Sequence, residues 1–315
     1  MPEKRANTTI IMEFLLVGFP DDWMLQRMYA TLFFLIYLTA LMGNLLIITL
    51  TTTDGRLHSP MYFFLKNLSL IDICYISVTV PKSVVNSLTK SHSISFLGCA
   101  SQIFFLIFFA GTEYALLIVM SYDRYTAICH PLHYETTMNI GACVQMVTAS
   151  WLSGCVYGSI HAAGTFSVDF CGPKIVHQFF CDVPSLLTLA CPGEQILEYA
   201  FIIASFSFAF LCFLFIITSY IHVFSAVLRI SSAQGKFKTV STCMPHLTVV
   251  ILFLFSGLVT HLGTNYKSTS SLNLLMSVLY SMLPPILNPV IYSLRNEDMK
   301  LALGKLLGGK MLPKT

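Results

Sequence analysis

Seven stretches of the chain are each long and apolar enough to cross a lipid bilayer, which takes about 20 residues in a helix. They are residues 28–50, 61–85, 97–120, 140–161, 196–228, 239–260 and 272–294. Of the 315 residues, 55% are hydrophobic and only 10% are charged. Soluble domains carry roughly 25% charged residues. The sequence therefore predicts an all-α membrane protein, a bundle of seven transmembrane helices.

Several of these spans contain polar or charged side chains. The second span holds Lys66 and Asp72, the third holds Glu113, and the sixth holds Pro245 and His246. Ionisable groups at membrane depth usually face the bundle interior or another polar group. These spans are therefore predicted to pack against one another.

The distribution of charge predicts the orientation of the chain. With the N-terminus outside, the inner side holds most of the basic residues: Arg56, Lys66, Arg124, Arg229, Lys236, Lys238, Arg295, Lys300, Lys305, Lys310 and Lys314. Basic residues accumulate on the cytoplasmic side of membrane proteins. We expect one domain over residues 1–315: an extracellular tail at 1–27 without a cleavable signal peptide, a helix bundle at 28–294, and a cytoplasmic tail at 295–315 with a short amphipathic helix.

Composition and motifs exclude several other classes of protein. The net charge of +3 is small, and no basic run interleaves with aromatic residues, so a nucleic-acid partner is not expected. A channel or transporter needs a polar path, but the third, fifth and sixth spans are apolar in their outer halves. The metalloprotease pattern HExxH and the esterase pattern GxSxG are both absent from the sequence, which argues against an enzyme.

Four of the ten cysteines lie on the predicted outer side: Cys99, Cys171, Cys181 and Cys191. An even number in an oxidising compartment favours two disulfides, and spacing alone leaves three pairings open. Asn7 begins an N-glycosylation sequence on the same side, whereas a similar sequence at Asn67 falls inside a span. Asn7 is therefore the predicted glycosylation site.

Six segments in a fixed order carry a resemblance to a known family. They are Gly43-Asn44; PMYFFLKNLSLIDICYISVTVPK at 60–82; MSYDRYTAICHPLHY at 120–134; Ser219-Tyr220; KFKTVSTCMPHLTVV at 236–250; and PPILNPVIYSLRN at 284–296. In these segments, which are spread over nearly the whole chain, the sequence resembles a class II, tetrapod-type olfactory receptor of the rhodopsin-like G-protein-coupled receptor family.

The resemblance implies an odorant receptor that binds small, mostly uncharged volatiles and activates a stimulatory, olfactory-type G protein, which raises cyclic AMP. It implies the disulfides Cys99–Cys181 and Cys171–Cys191. It also implies a set of residues that act in G-protein coupling and activation: Asp123, Arg124, Tyr125, Tyr220, Lys238, His246, Asn288, Pro289 and Tyr292.

Asp72 and Glu113 are two carboxylates at membrane depth, and both match the family pattern, as does Asn288. Two interpretations stay open. The pair binds a sodium ion, as in similar receptors, or the two buried carboxylates share one proton. No other cofactor is implied.

The resemblance places an apolar odorant pocket in the outer half of the bundle. In the third span, five residues follow helical spacing along one face: Ile103, Leu106, Ile107, Ala110 and Gly111. The predicted opposing residues come from the fifth, sixth and seventh spans: Ala204, Ser205, Phe208, Leu254, Gly257, Leu258, His261, Val278 and Ser281. Ser205, His261 and Ser281 are the predicted hydrogen-bonding groups.

Two features refine this prediction. No acid stands at Leu106, where aminergic receptors anchor a charged amine, so uncharged ligands are favoured. The sixth span reads Phe253-Leu254-Phe255-Ser256 where the family usually has Phe-Tyr-Gly-Thr, so the tyrosine hydroxyl is missing. The family further implies plasma-membrane localisation in olfactory cilia, contact with membrane lipid, and either a trafficking chaperone or a receptor oligomer as an additional partner.

Overall fold

A computed structural model describes residues 13–18, 22–89, 91–171, 173–193, 195–229, 232–262, 271–295 and 297–308. At positions 233, 238, 242, 258–262, 271–274, 294, 295, 297, 307 and 308 it describes the backbone only. Seven long helices and one short helix follow in chain order within the described residues: α1 (Trp23–Thr53), α2 (Pro60–Thr89), α3 (Phe96–Cys129), α4 (Ile140–Phe166), α5 (Ile196–Arg229), α6 (Ala233–Leu262), α7 (Ser271–Arg295) and the short α8 (Glu297–Gly308).

Helices α1 to α7 each contain a segment long and apolar enough to span a membrane, which confirms the predicted seven-helix membrane fold. The short α8 follows α7 on the cytoplasmic side, as predicted. Polar side chains cap the N-termini of several helices. Asp22 accepts hydrogen bonds from the backbone N–H groups of Met24 and Leu25 at α1, and Ser95 and Asn139 cap α3 and α4 in the same way. Such caps satisfy N–H groups that have no partner within the helix.

Glycine allows α3 and α4 to approach closely. A side chain at Gly154 of α4 would meet Thr112 Oγ1 and come within 2.6 Å of the Phe108 carbonyl oxygen of α3. A side chain at Gly158 would lie 2.9 Å from the Phe104 carbonyl oxygen. The two glycines are four residues apart, so they lie on one face of α4, and small residues at this spacing let membrane helices pack backbone to backbone. This packing fixes the position of α3 at the centre of the bundle.

Three short strands, which the sequence analysis did not predict, form a small sheet on the extracellular side. They are β1 (Glu13–Leu16), β2 (Ser93–Ser95) and β3 (Ile175–Val176), in the order β2-β1-β3. Strand β1 is antiparallel to β2 and parallel to β3. Phe14 and Leu16 point inward and pack with Cys99 and Cys181, so the N-terminal segment joins the outer loops in a second, smaller hydrophobic core.

The loop that follows α1 contacts α8. Asp54 pairs with Arg56 at 2.6 Å and lies 4.0 Å from Lys305 of α8. The hydrogen bonds from Arg56 hold the pKa of the Asp54 carboxyl well below its usual range. The Tyr62 hydroxyl donates to Asp298 at 3.4 Å, which gives α8 a second contact with the bundle.

Candidate functional site

The inner end of α3 carries a buried ion pair. Arg124 Nε donates to Asp123 Oδ2 at 2.9 Å, and Arg124 Nη2 contacts the same oxygen. The Tyr134 hydroxyl, from a single helical turn at Tyr134–Thr137, donates to Asp123 Oδ1 at 2.8 Å. Burial and the neighbouring carboxylate raise the pKa of Tyr134, so this hydroxyl keeps its proton and remains a donor. Both carboxylate oxygens of Asp123 are therefore occupied.

Three helices are joined at His246, which contacts α3 about two helical turns before Arg124. His246 Nε2 lies 3.0 Å from the Leu117 carbonyl oxygen of α3, and Nδ1 lies 2.8 Å from the Tyr220 hydroxyl of α5. Because a carbonyl only accepts, Nε2 carries the proton, and in the neutral ring Nδ1 then accepts from Tyr220. This arrangement holds α6 against α3 and α5. The predicted activation residues Arg124, Tyr220 and His246 thus lie at one end of the bundle.

The predicted Asp72, Glu113 and Asn288 cluster is formed in the bundle interior. Asn288 Nδ2 donates to Asp72 at 3.0 and 3.2 Å and to Glu113 Oε1 at 3.2 Å. Asp72 is 0% exposed and Glu113 is 1% exposed. Within the described part of the chain, Asn288 Oδ1 has no hydrogen-bond partner. One amide therefore bridges two carboxylates that come from α2 and α3.

Near this cluster, Asn44 replaces a backbone hydrogen bond that is missing in α7. Pro289 has no N–H group, so the Pro285 carbonyl oxygen lacks its usual helical donor. Asn44 Nδ2 donates to that oxygen at 2.9 Å. A side chain at Gly43 would lie 3.0 Å from Pro289, so glycine allows α1 to come this close. The motifs Gly43-Asn44 and Asn288-Pro289 therefore form one interhelical contact.

The predicted pocket residues of α3 differ in their surroundings. Leu106 packs in the main core, whereas Ile103 and Ile107 pack with the outer-loop core. Ala110 packs against the main core as well. A side chain at Gly111 would meet Tyr157 and Gly154 of α4, so this position belongs to the α3–α4 contact.

The predicted opposing residues are also spread over different environments. Ala204 is exposed and Phe208 is 67% exposed, whereas Leu254, Gly257 and Val278 are partly buried. Ser281 is buried and donates to the Ser277 carbonyl at 2.7 Å. The side chains of Lys238, Leu258 and His261 lie outside the described residues, as does Asn7.

A polar cluster between α4 and α5 was not predicted from the sequence. Ser205, a predicted ligand contact, has its Oγ 3.1 Å from Nε2 of His161, and His161 Nδ1 lies 2.7 Å from Glu198 Oε1. His161 is the last residue of the predicted fourth span, and Glu198 is the third residue of the predicted fifth span, so both resembled boundary residues. The sequence did contain one indication of this contact: a histidine and an acid lie at the same predicted depth in consecutive spans.

The outer loop folds down onto the bundle and is held by side-chain contacts. The structure contains the disulfides Cys99–Cys181 and Cys171–Cys191, which is the pairing that the resemblance implies. Gln102 Oε1 accepts from the Cys181 N–H at 2.8 Å, and the Tyr280 hydroxyl donates to Asp182 at 3.0 Å. Burial raises the pKa of the Asp182 carboxyl against the opposing effect of its hydrogen bonds from Ser185 and Tyr280. These contacts close the bundle from above.

Comparisons with known proteins agree with this architecture. Residues 33–310 match the family described as "Olfactory receptor". Human olfactory receptor 14A16 is 53% identical over 98% of this chain and 100% of its own length, and human olfactory receptor 14L1 is 51% identical over 96% and 93%. The crystal structure of squid rhodopsin superposes with a TM-score of 0.72 at 17% identity, covering 95% of this chain and 93% of that one, which shows a shared fold. The chain therefore belongs to the olfactory receptor family, whose members are seven-helix G-protein-coupled receptors and not enzymes.

Proposed function

We propose that this receptor binds small, mostly uncharged volatile molecules in the outer half of the bundle and activates a stimulatory, olfactory-type G protein, which raises cyclic AMP. Family membership already implies a small-molecule ligand and a heterotrimeric G protein. The observation that carries the coupling proposal is the buried Asp123–Arg124 pair with Tyr134 at the cytoplasmic end of α3. Agonist binding frees Arg124 from this pair and lets α6 move outward.

The uncharged character of the ligand follows from the proposed pocket. An apolar ligand site is lined by aliphatic and aromatic groups with few polar anchors. Leu106 lies in the main core, where a charged amine would need an acid. We propose the same pocket residues and the same coupling residues as the sequence analysis predicts, with Gly111 acting through the α3–α4 contact. The proposed cellular site is the ciliary plasma membrane.

The test is cyclic AMP production in cells that express the receptor at the surface, with a panel of uncharged volatiles. Cells that lack stimulatory G-protein α subunits serve as the control, and re-expression of the olfactory type serves as the rescue. We expect at least one volatile to raise cyclic AMP only when that subunit is present. A response that persists without any stimulatory subunit would contradict the proposed coupling.

For the Asp72, Glu113 and Asn288 cluster, we propose a bound sodium ion. Carboxylate and amide oxygens are hard ligands, and rotation of the Asn288 amide would turn Oδ1 toward the two acids. The alternative is a proton shared by the two carboxylates. Among the described residues, no group of three or more His, Cys, Asp or Glu side chains is arranged to hold a metal, so any ion here rests on two acids and an amide.

The two alternatives predict different salt effects on thermal unfolding of the purified receptor. A ligand that binds only the folded state, at a hundredfold excess over its Kd, adds about 2.7 kcal/mol of stability. We expect sodium chloride to raise the melting temperature above that in choline chloride at equal ionic strength. The difference should vanish in Asp72→Asn. Equal melting temperatures in the two salts for the unmodified receptor would favour the shared proton.

A further inference from the structure

His161, Glu198 and Ser205 form a chain of polar contacts between α4 and α5 in the outer half of the bundle. His161 is 4% exposed and Glu198 is 0% exposed. A side chain at Gly164 would collide with Glu198 Oε2, so glycine makes room for this carboxylate beside α4. Ser205 lies one helical turn before Ala209, whose carbonyl accepts from Tyr114 of α3 at 2.6 Å. This face of α5 is therefore turned toward the interior.

Because His161 and Glu198 are buried, the protons that they share should leave the pair without net charge. A lone carboxylate in a buried site is unfavourable without a cation or a proton. Glu198 Oε2 has no hydrogen-bond partner in the described part of the chain, so His161 is the group that compensates the acid. The pair is neutral overall when it holds either an imidazolium and a carboxylate or a neutral imidazole and a carboxylic acid.

Both of these forms place a proton on Nε2 of His161. In the ion pair, both ring nitrogens carry a proton. In the other form, the acid donates to Nδ1 and the single ring proton is on Nε2. A third form, with the ring proton on Nδ1 and the acid proton on Glu198 Oε2, would leave the Oε2 proton without an acceptor among the described residues. Glu198 also lies in the first turn of α5, where the helix dipole favours the ion pair. In either of the first two forms, Nε2–H donates to Ser205 Oγ.

The hydroxyl proton of Ser205 is therefore left for another acceptor. Serines within helices usually donate to the carbonyl four residues earlier, as Ser207 does to Ile203 at 2.9 Å. The Ser205 Oγ atom lies 3.1 Å from His161 Nε2, and the Tyr157 side chain is close enough to interact with Ser205. Ser205 can thus turn its proton toward Tyr157 or toward a ligand.

We propose that the His161–Glu198 pair fixes Ser205 as a hydrogen-bond donor toward the ligand, so that the receptor prefers aldehydes, ketones and esters over alcohols of the same carbon skeleton. The preference rests on the proposed odorant-binding function. A carbonyl ligand accepts the Ser205 proton and has no donor of its own. An alcohol can accept it too, but its own hydroxyl proton then lacks a partner in an apolar pocket, which is unfavourable.

The order serine, histidine, carboxylate is also that of a hydrolase triad. A hydrolase needs backbone or side-chain donors that stabilise an oxyanion. Ser205 lies within α5, where the backbone N–H groups are engaged in helical hydrogen bonds. The cluster therefore positions a ligand contact and does not form a nucleophile.

The test compares the agonist concentration for half-maximal cyclic AMP, the EC50, between an aldehyde and the matched alcohol. For the unmodified receptor we expect the EC50 of the aldehyde to be about tenfold lower, because an unpaired hydrogen-bond donor in an apolar site costs on the order of 1.4 kcal/mol. His161→Phe removes the Nε2 donor and lets Ser205 Oγ accept from the alcohol, so it should bring the ratio of the two values close to one. Ser205→Ala removes the contact with both ligands, so it should raise both EC50 values and leave the aldehyde preferred. Glu198→Gln should keep the ratio, since its amide can donate to Nδ1 and leave the proton on Nε2. Ser207→Ala is the control and should keep it as well, because the exposed Ser207 hydroxyl donates to the Ile203 carbonyl of its own helix.

A purely structural role for His161 would change both EC50 values and leave their ratio unaltered, and that result would overturn the proposal while the receptor function stands. If the unmodified receptor responds to no volatile, the proposed function fails, and nitrogen-15 NMR of histidine-labelled receptor in lipid nanodiscs still decides the proton position. The His161 signal is assigned by its shift in Ser205→Ala. We expect a proton on Nε2, and an unprotonated Nε2 would overturn the inference.

Discussion

Arg124→Ala is expected to abolish agonist-induced cyclic AMP while the receptor still reaches the cell surface. The substitution removes the guanidinium that pairs with Asp123 at the cytoplasmic end of α3. In the proposed active state the freed Arg124 makes new hydrogen bonds at the open cytoplasmic end. One charge-assisted hydrogen bond is worth about 1.5–3 kcal/mol, and 1.4 kcal/mol is a factor of ten in an equilibrium, so the loss of signal should exceed about tenfold. Asp123 keeps its hydrogen bond from Tyr134, which limits the cost to folding.

Two further variants distinguish coupling from general damage. Arg124→Lys retains the charge but not the fork of N–H donors, so we expect it to recover only part of the response. Arg229→Ala removes an exposed arginine from the last turn of α5 and is the matched control, with a response near that of the unmodified receptor. Surface receptor is counted by flow cytometry on an N-terminal tag. A full response from surface-expressed Arg124→Ala would show that coupling does not require this residue.

Gly154→Val is expected to cause the largest loss of folded receptor. The new side chain would be forced into Thr112 and the Phe108 carbonyl of α3, and the backbone there cannot rotate away as a side chain can. Overpacking of a tight interior costs about 1–3 kcal/mol, and more when backbone must move. The α3–α4 contact would have to open, which also displaces the residues of α3 that carry the coupling switch.

A graded series makes this prediction quantitative. We expect the melting temperature of purified receptor to fall from glycine to alanine to valine at position 154, with surface expression falling in parallel. Gly304→Val in α8 is the control, because a side chain there meets no atom within 4 Å. If Gly154→Val unfolded at the same temperature as the Gly304 variant, close packing at Gly154 would not be required for the fold.

The seven spans could be predicted from hydropathy, but their inner and outer ends could not. The third span was predicted to end at residue 120, whereas α3 continues to Cys129. The ion pair of Asp123 with Arg124 allows the charged residues to remain in the helix. The fourth span was predicted to end at residue 161, whereas α4 continues to Phe166, and His161 within it is paired with Glu198. Hydropathy treats each residue alone and cannot register such pairs.

The candidate site was only partly predictable for the same reason. Motif resemblance identified Asp72, Glu113 and Asn288, and the structure brings all three within hydrogen-bonding distance. It also selected Ser205 but not His161, the residue that determines which proton Ser205 can offer. The partner of Ser205 lies 44 positions away on another helix, so no local pattern marks it.

By itself, the sequence determined the membrane-spanning fold, the orientation and the family, because each of these depends on long apolar runs, on charge near their ends, or on motifs read in order. The small extracellular sheet could not be predicted from the sequence, because strands of four, three and two residues are too short to show a repeating pattern. Only the tertiary structure decided that Gly111 packs against α4, that Asn44 satisfies the carbonyl exposed by Pro289, and that Glu198 reaches His161. Packing and hydrogen bonds between helices join residues far apart in the chain, and these contacts exist only once the helices are assembled.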